Sequence, residues 1–292
     1  MRTQIHGSRH STNIIQSPAT VAVGQALRTL RTARGIGLRR LAAKLELRAQ
    51  VLSNWETAKR IPPITVVAQL LGALQADSAT THRILDQARH ASDPAFVDLD
   101  HWDHATLASH YEQLATHVFA WAPTLIPDPL RTPEHDLYLL NHPVSDIGHA
   151  DAPSLLAPAR RNNLADRERH YTFLVGDAAL RACPPQLRTD QLGNLERLAT
   201  KPNITLLIVP ADVCPPGLIS AFTLYSDHTV ALAIALHHYR ASTYLADRDT
   251  LAAYQRVTHK LRHHGVDLQD IDETPLRPTD GTTQSPDAAE TP

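Results

Sequence analysis

LRTLRTARGIGLRRLAAKLELRAQVLSNWETAKRIPP, residues 27–63, decides the fold of the first third of the chain. VGQALRTLRTAR (23–34) sets Val23, Ala26, Leu27, Leu30 and Ala33 on one stripe of 3.6-residue period, and Gly35 and Gly37 end it. LRRLAAKL (38–45) carries Leu38, Leu41, Ala42 and Leu45 on one face, and AQVLSNWE (49–56) buries Trp55 with Val51 or Leu52. Only Glu46, Leu47 and Arg48 separate these two helices. Pro62 and Pro63 break the chain before ITVVAQLLGALQ (64–75), and THRILDQARHA (81–91) supplies a fifth helix. The spacing predicts a mainly α, five-helix N-terminal domain over residues 21–92.

A three-residue connection is the length a helix-turn-helix needs. The order of these pieces resembles the Xre family, the lambda/434-repressor-like helix-turn-helix. In that family the second helix holds Leu-Ala, here Leu41 and Ala42, and the third ends in Ser-Arg-x-Glu-x-Gly-x-Arg-x-Pro. Here that stretch is Ser53, Asn54, Trp55, Glu56, Thr57, Ala58, Lys59, Arg60, Ile61 and Pro62. The resemblance implies double-stranded DNA as a partner, with the third helix in the major groove. By position on that helix, Gln50 and Asn54 are candidates for base reading, since an amide can pair with adenine, and Ala49 is a candidate for touching a thymine methyl. Arg39, Arg40, Arg48, Ser53, Lys59 and Arg60 are candidates for the phosphate backbone. The resemblance also implies a structural ion pair between Arg31 and Glu56. Three positions depart from the pattern: Glu46 stands where the turn glycine is usual, Arg48 where a capping Ser or Thr is usual, and Ala58 where the loop glycine is usual.

Charge is distributed to match. Residues 1–19 carry Arg2 and Arg9 and no acid, residues 20–92 carry 11 Lys and Arg against four acids, and residues 93–292 carry 15 against 26. A basic small domain on an acidic large one is the asymmetry expected when only the first meets a polyanion. Residues 1–20 mix Ser, Thr, His and Gln without periodicity and read as a disordered arm; residues 272–292 read as a disordered tail. Composition breaks near HASDPAFVDLDHWD, so residues 93–103 read as a linker.

Residues 104–271 mix helical and strand patterns and predict an α+β domain. HATLASHYEQLATHVF (104–119) puts Leu107, Tyr111, Leu114 and Val118 on one helical face, which also offers a dimerisation surface. WAPTLIPDPLRTPEHDLYLL (121–140) reads as a Pro-rich bend into a short helix, and RHYTFLVGDAAL (169–180) as a strand entering a helix. QLGNLERLATKPNITLLIVP (191–210) reads as a helix followed by a buried strand. FTLYSDHTVALAIAL (222–236) reads as a hairpin around Ser226 and Asp227, and residues 245–265 as a last helix. These segments resemble the C-terminal domain of actinobacterial WhiJ-like, antitoxin-like regulators. The family phrase Pro-x-Leu-Ile-Pro-Gly-Leu-Leu-Gln-Thr-Pro-Glu-Tyr stands here from Pro123 to His135, with Asp128, Pro129, Arg131 and His135 among the changes. Asp177 to Leu180, Gln191, Leu192, Leu195, Pro202, Asn203 and Phe222 extend the match. The resemblance implies a regulator often encoded beside a small partner protein.

No run nears the roughly 20 apolar residues of a spanning helix, and the start lacks a signal-peptide core, so a cytoplasmic, nucleoid-associated protein is expected. Cys183 and Cys214 suit neither a zinc site nor a disulfide framework. The chain has 18 histidines, and His259 with His263 share a helix face, yet no third ligand declares itself. No phosphate-binding glycine loop, GxSxG elbow or CxxC occurs. No enzyme activity, metal or cofactor is expected. A homodimeric sequence-specific regulator, modulated through its C-terminal domain by a partner protein or ligand, is the leading reading. An antitoxin-like binding module with autoregulatory DNA binding is the alternative, and a DNA-targeted hydrolase-like effector the weaker one.

Overall fold

The computed structural model describes residues 17–99, 107–142, 158–213, 218, 220–238 and 241–270. Five helices come first: α1 (Pro18–Ala33), α2 (Leu38–Lys44), α3 (Ala49–Glu56), α4 (Ile64–Ala73) and α5 (Ser78–Arg89). Their shared core is Val23, Leu27, Leu41, Ala42, Leu52, Trp55, Val67, Leu70, Leu71, Leu74 and Ile84. Each fully buried Leu or Ile in it contributes about 1.5–3 kcal/mol of transfer free energy.

Local chemistry sets the helix ends. Ser17 caps α1 by accepting from the Thr20 N–H, with Pro18 in the first turn, and Asp77 caps α5 by accepting from the Thr80 N–H. After α1, α2 and α4 the chain turns through Gly35, Glu46 and Gln75, all at positive φ (63°, 54° and 52°). At each, the next residue's N–H reaches back to a carbonyl five residues earlier: Ile36 to Arg31, Leu47 to Ala42 and Ala76 to Leu71. That pairing satisfies helix-end carbonyls and makes the bend sharp.

The second unit is a mixed sheet sandwiched by helices. Its strands are β1 (Ala95–Leu99), β2 (His117–Ala122), β3 (His170–Gly176), β4 (Ile204–Val209), β5 (Phe222–Asp227), β6 (Val230–His237), β7 (Ala241–Leu245) and β8 (Val266–Asp267). They lie in the order β1-β7-β6-β5-β2-β3-β4-β8. β2, β3 and β4 run parallel, and the other pairings are antiparallel. The intervening helices are α6 (Leu107–Leu114), α7 (Pro133–Leu140), α8 (Pro158–Asn163), α9 (Asp177–Arg181), α10 (Pro185–Ala199) and α11 (Arg248–His264).

One sheet face, with Val118, Tyr171, Phe173, Val175, Ile204, Leu206, Tyr225 and Tyr244, packs on α6, α9 and α10. The other, with Trp121, Leu174, Phe222, Leu224 and Ile234, packs on Leu251 and Leu261 of α11. Tyr111 of α6 stacks on both Tyr225 and Tyr244, with centroids 5.4 and 5.6 Å away. Gly176 ends β3 where a Cβ would stand 2.3 Å from the Pro123 carbonyl oxygen, so no side chain fits there.

Several sequence expectations need correcting. α1 begins at Pro18, inside the stretch 1–20 expected as an arm; residues 1–16 and the expected tail at 272–292 lie outside the described residues. The expected linker 93–103 contains β1, paired with β7, so the connection is part of the sheet. The helix expected over 104–119 ends at Leu114, and Val118 is a strand residue. Its apolar face is no dimer surface: Leu107, Ala108, His110, Tyr111 and Glu112 are buried within the chain. The hairpin turns at His228 and Thr229, two residues beyond Ser226–Asp227.

The two units share packing. Val21 of α1 and Ala58, just after α3, belong to the sheet-facing cluster with Leu107 and Tyr111. His110 of α6 is 3% exposed, with neither ring nitrogen hydrogen bonded and Arg28 of α1 within electrostatic range. Burial, aided by Arg28, pushes its pKa from 6.5 down to about 4. The stabilising contribution of the neutral ring is complete above pH 6.5 and is lost as pH falls toward 4, at most about 3 kcal/mol. In urea titrations from pH 7 to 4, His110→Leu should show a shallower loss of stability than the parent chain, by roughly that amount. Parallel curves would disprove a neutral buried His110.

Candidate nucleic-acid interface

The third helix is held from behind and presented forward. Behind it, Arg31 Nε donates to Glu56 Oε1 at 2.7 Å and Arg31 Nη2 to Glu56 Oε2 at 2.8 Å, a two-pronged pair between α1 and α3. Arg31 Nη1 donates to the Ile36 carbonyl at 2.9 Å, so the same guanidinium also holds the α1–α2 turn. Arg31 is 9% exposed and Glu56 2%. The Glu56 hydrogen bond outweighs burial and raises the arginine pKa, keeping the guanidinium charged. Gly24 completes the fit, since a Cβ there would meet the Trp55 carbonyl oxygen at 2.5 Å.

Forward, Arg39, Arg40, Arg48, Gln50, Lys59 and Arg60 are exposed, and Ala49, Ser53 and Asn54 are half-buried. Gln50 and Asn54, one turn apart, are joined: Gln50 Nε2 donates to Asn54 Oδ1 at 3.0 Å. The bond leaves Gln50 Oε1 as an acceptor and the Asn54 amide as a donor, side by side. Arg48 occupies the α3 N-cap without a side-chain hydrogen bond, so the first N–H groups of the helix are not satisfied by their cap. After the helix, the Arg60 N–H folds back on the Asn54 carbonyl at 3.3 Å, which keeps Lys59 and Arg60 near its C-terminal end.

Other cations of this unit are committed internally. Arg34 Nη2 donates to the Gln75 carbonyl at 2.8 Å and Lys44 Nζ to the Ala73 carbonyl at 3.3 Å, both at the end of α4. No such hydrogen bond or ion pair engages Arg39, Arg40, Arg48, Lys59 or Arg60 among the described residues. All seven side chains are exposed, so hydrogen bonding to backbone carbonyls, which sequence reading alone did not supply, is what separates the two groups of cations.

Polar groups of the second unit are packed for structure. His135, 1% exposed, has Nδ1 3.0 Å from Gln191 Oε1, which also accepts from the Thr132 N–H, while Gln191 Nε2 donates to the Leu130 carbonyl at 2.8 Å. Asp136, 5% exposed, pairs with Arg131 at 3.2 Å and with Arg161. Burial pushes its carboxyl pKa up while both arginines oppose the shift. Cys183 Sγ lies 3.9 Å from His135 Nδ1, and burial pushes the thiol upward. Cys214 lies outside the described residues. His259 and His263 are 6.3 Å apart between ring centroids, and among the described residues no group of three or more His, Cys, Asp or Glu is placed to hold a metal ion. Nor is any described helix long and apolar enough to cross a membrane.

Removing one partner of the Arg31–Glu56 pair leaves the other charge buried. Glu56→Gln should therefore lower unfolding free energy by about 3–5 kcal/mol in urea titration. A change below 1 kcal/mol would mean that the pair does not hold α3.

Residues 22–84 match a helix-turn-helix domain, and residues 106–271 match a domain of unknown function, DUF5753. No curated protein and no solved structure matches the chain. The second match covers more than half of the 292 residues, and the chain belongs to the DUF5753 family, carrying a helix-turn-helix domain ahead of the family's own.

Proposed function

We propose that the protein is a sequence-specific DNA-binding transcriptional regulator that lays α3 in the major groove. The observation that carries this reading is the joined Gln50–Asn54 amides on α3 together with the exposed, internally unengaged Arg39, Arg40, Arg48, Lys59 and Arg60 of the same helices and loops. The acceptor on Gln50 and the donor on Asn54 complement adenine N6–H and N7, and Ala49 offers a small apolar contact for a thymine methyl. Ser53 and the five cations serve the phosphates, giving affinity without sequence information.

The C-terminal domain has the opposite role. With 26 acids against 15 cations in residues 93–292, it repels a phosphate backbone, and we assign it to sensing a small co-encoded partner protein or a ligand. Support comes from the resemblance to WhiJ-like regulators and from the shared packing of the two units. Catalysis is not part of the proposal: the Cys183 thiol beside His135 is held protonated by burial, the reverse of an activated nucleophile. The working form is a cytoplasmic, nucleoid-associated homodimer reading a pseudo-palindrome, because one small head covers only a short half-site.

The test is selection of duplexes from a random pool by the full chain. An enriched motif should lose most of its preference with Gln50→Ala and Asn54→Ala together, each correct contact contributing about 1–3 kcal/mol. Lys59→Ala and Arg60→Ala should weaken all duplexes alike, each lowering the slope of log affinity against log salt by about 0.9. No enrichment, or enrichment untouched by all four substitutions, would sink the assignment of this face. Sedimentation of the DNA complex should give two chains per duplex, and a single chain at full affinity would remove the dimer.

A further inference from the structure

Four non-glycine residues among those described have positive φ: Glu46 (54°), Ala58 (57°), Gln75 (52°) and His228 (51°). Glu46, Gln75 and His228 are exposed turn residues, whereas Ala58 is only 4% exposed. Left-handed backbone is unfavourable for any residue with a Cβ, and it persists where surrounding contacts over-determine it. Ala58 belongs to a buried cluster that continues outside its own domain.

Ala58 stands two residues past the end of α3, and its N–H donates to the Trp55 carbonyl at 3.1 Å. Its methyl group joins Val21 of α1 in the cluster that contains Leu107, Tyr111 and Ala115 and runs on into the sheet face. Val21 lies one turn before Gly24, where α1 rests against the carbonyls of Trp55 and Glu56. The end of α3 is thus gripped on one side by α1 and followed on the other by a buried residue of the cluster that runs through α1 and α6 into the sheet face. A head on a flexible tether would show neither feature.

We infer that Ala58, with Val21, is a positioning residue through which the C-terminal domain sets the pose of the DNA-reading helix. α6 is the counterpart on the C-terminal side. Whatever moves α6 relative to the sheet moves the floor on which Ala58 and Val21 sit, and α3 follows through Trp55 and Glu56. The role in DNA reading rests on the function proposed above, but the mechanical coupling does not. Glycine at position 58 separates positioning from plain stability, because it relaxes the backbone while removing the methyl group that makes the contact.

The test is hydrogen exchange, read by mass spectrometry on the full chain, in a four-member cycle of parent, Leu107→Val, Ala58→Gly and the double variant. Leu107, 5% exposed, lies on α6, and shortening it perturbs the C-terminal side alone. In the parent background Leu107→Val should speed exchange at amides 53–59 on the order of fivefold. In the Ala58→Gly background the same substitution should leave those amides unchanged. Amides of α10 report whether each variant is folded, and Ala115→Gly, just past α6 in the same cluster, replaces Leu107→Val if the latter does not fold. Equal acceleration in both backgrounds, or none in either, overturns the inference. Affinity for a duplex enriched by the parent chain should follow the same cycle. Failure to enrich any duplex would remove the DNA reading while the exchange cycle still decides the coupling.

Discussion

Helix α1 faces two cores at once, and this constraint governs the rest of the molecule. From Pro18 to Gly24 nearly every residue is buried: Val21 belongs to the sheet-facing cluster and Val23 to the core of the five-helix unit. A helix without a solvent side through two turns must be built from small or compact residues, and PATVAVG is such a run. Its next turns hold Leu27 for the head's core and Arg31 for Glu56. One helix therefore joins the domains, carries α3 and supplies its buried ion pair. At α1's entrance, Thr20 Oγ1 donates to the Ala91 carbonyl at 2.7 Å, and Ser17 Oγ donates to the same carbonyl, which ties the start of α1 to the exit of the head.

The electrostatics follow from that frame. A buried arginine must be paired, and Arg31 has a bidentate carboxylate and a backbone carbonyl. Arg34 and Lys44 sit over carbonyls at the C-terminal end of α4, where the helix dipole favours positive charge. The remaining cations of α2, the α2–α3 turn and the loop after α3 have no such internal work and are exposed to solvent. The sequence-level excess of cations over acids in residues 20–92 is thus two populations, one structural and one available to an external anion.

Legibility in the sequence tracks how local the determining physics is. α2, α3 and α4 are read to within two residues, because short apolar stripes, the three-residue turn and Pro62–Pro63 are local signals. The start of α1 was also signalled, by Ser17 before Pro18, yet periodicity masked it: a helix buried all round shows no stripe until Val23. β1 and β7 are five residues each, and β1 pairs with β7 far along the chain, so neither short run is recognisable alone. HVF, the first half of β2, fits a helical pattern because Val118 continues the spacing of Leu107, Tyr111 and Leu114, although Phe119 and Trp121 follow the alternation of a strand. In the candidate site, the four-residue spacing of Gln50 and Asn54 made their neighbourhood legible. The burial of Ala58 and His110 depends on which face of the second unit meets α1, which no local pattern encodes.

That last dependence shapes what regulation can look like here. A ligand or partner on the C-terminal domain shifts the head only by the difference in its affinity for two arrangements of the junction, usually about 1–3 kcal/mol. A junction buried as deeply as a domain core would resist so small a shift. This one has built-in weakness: His110 keeps two ring nitrogens without hydrogen bonds, the Tyr111 hydroxyl is also buried unpaired, and Ala58 is held in a disfavoured backbone conformation. Each such feature raises the energy of the packed arrangement by about 1–3 kcal/mol relative to an ideal core. For the regulation proposed above, these features of α6 and of Ala58 just after α3 lower the cost of leaving the packed arrangement, which is the condition under which a modest binding energy moves α3.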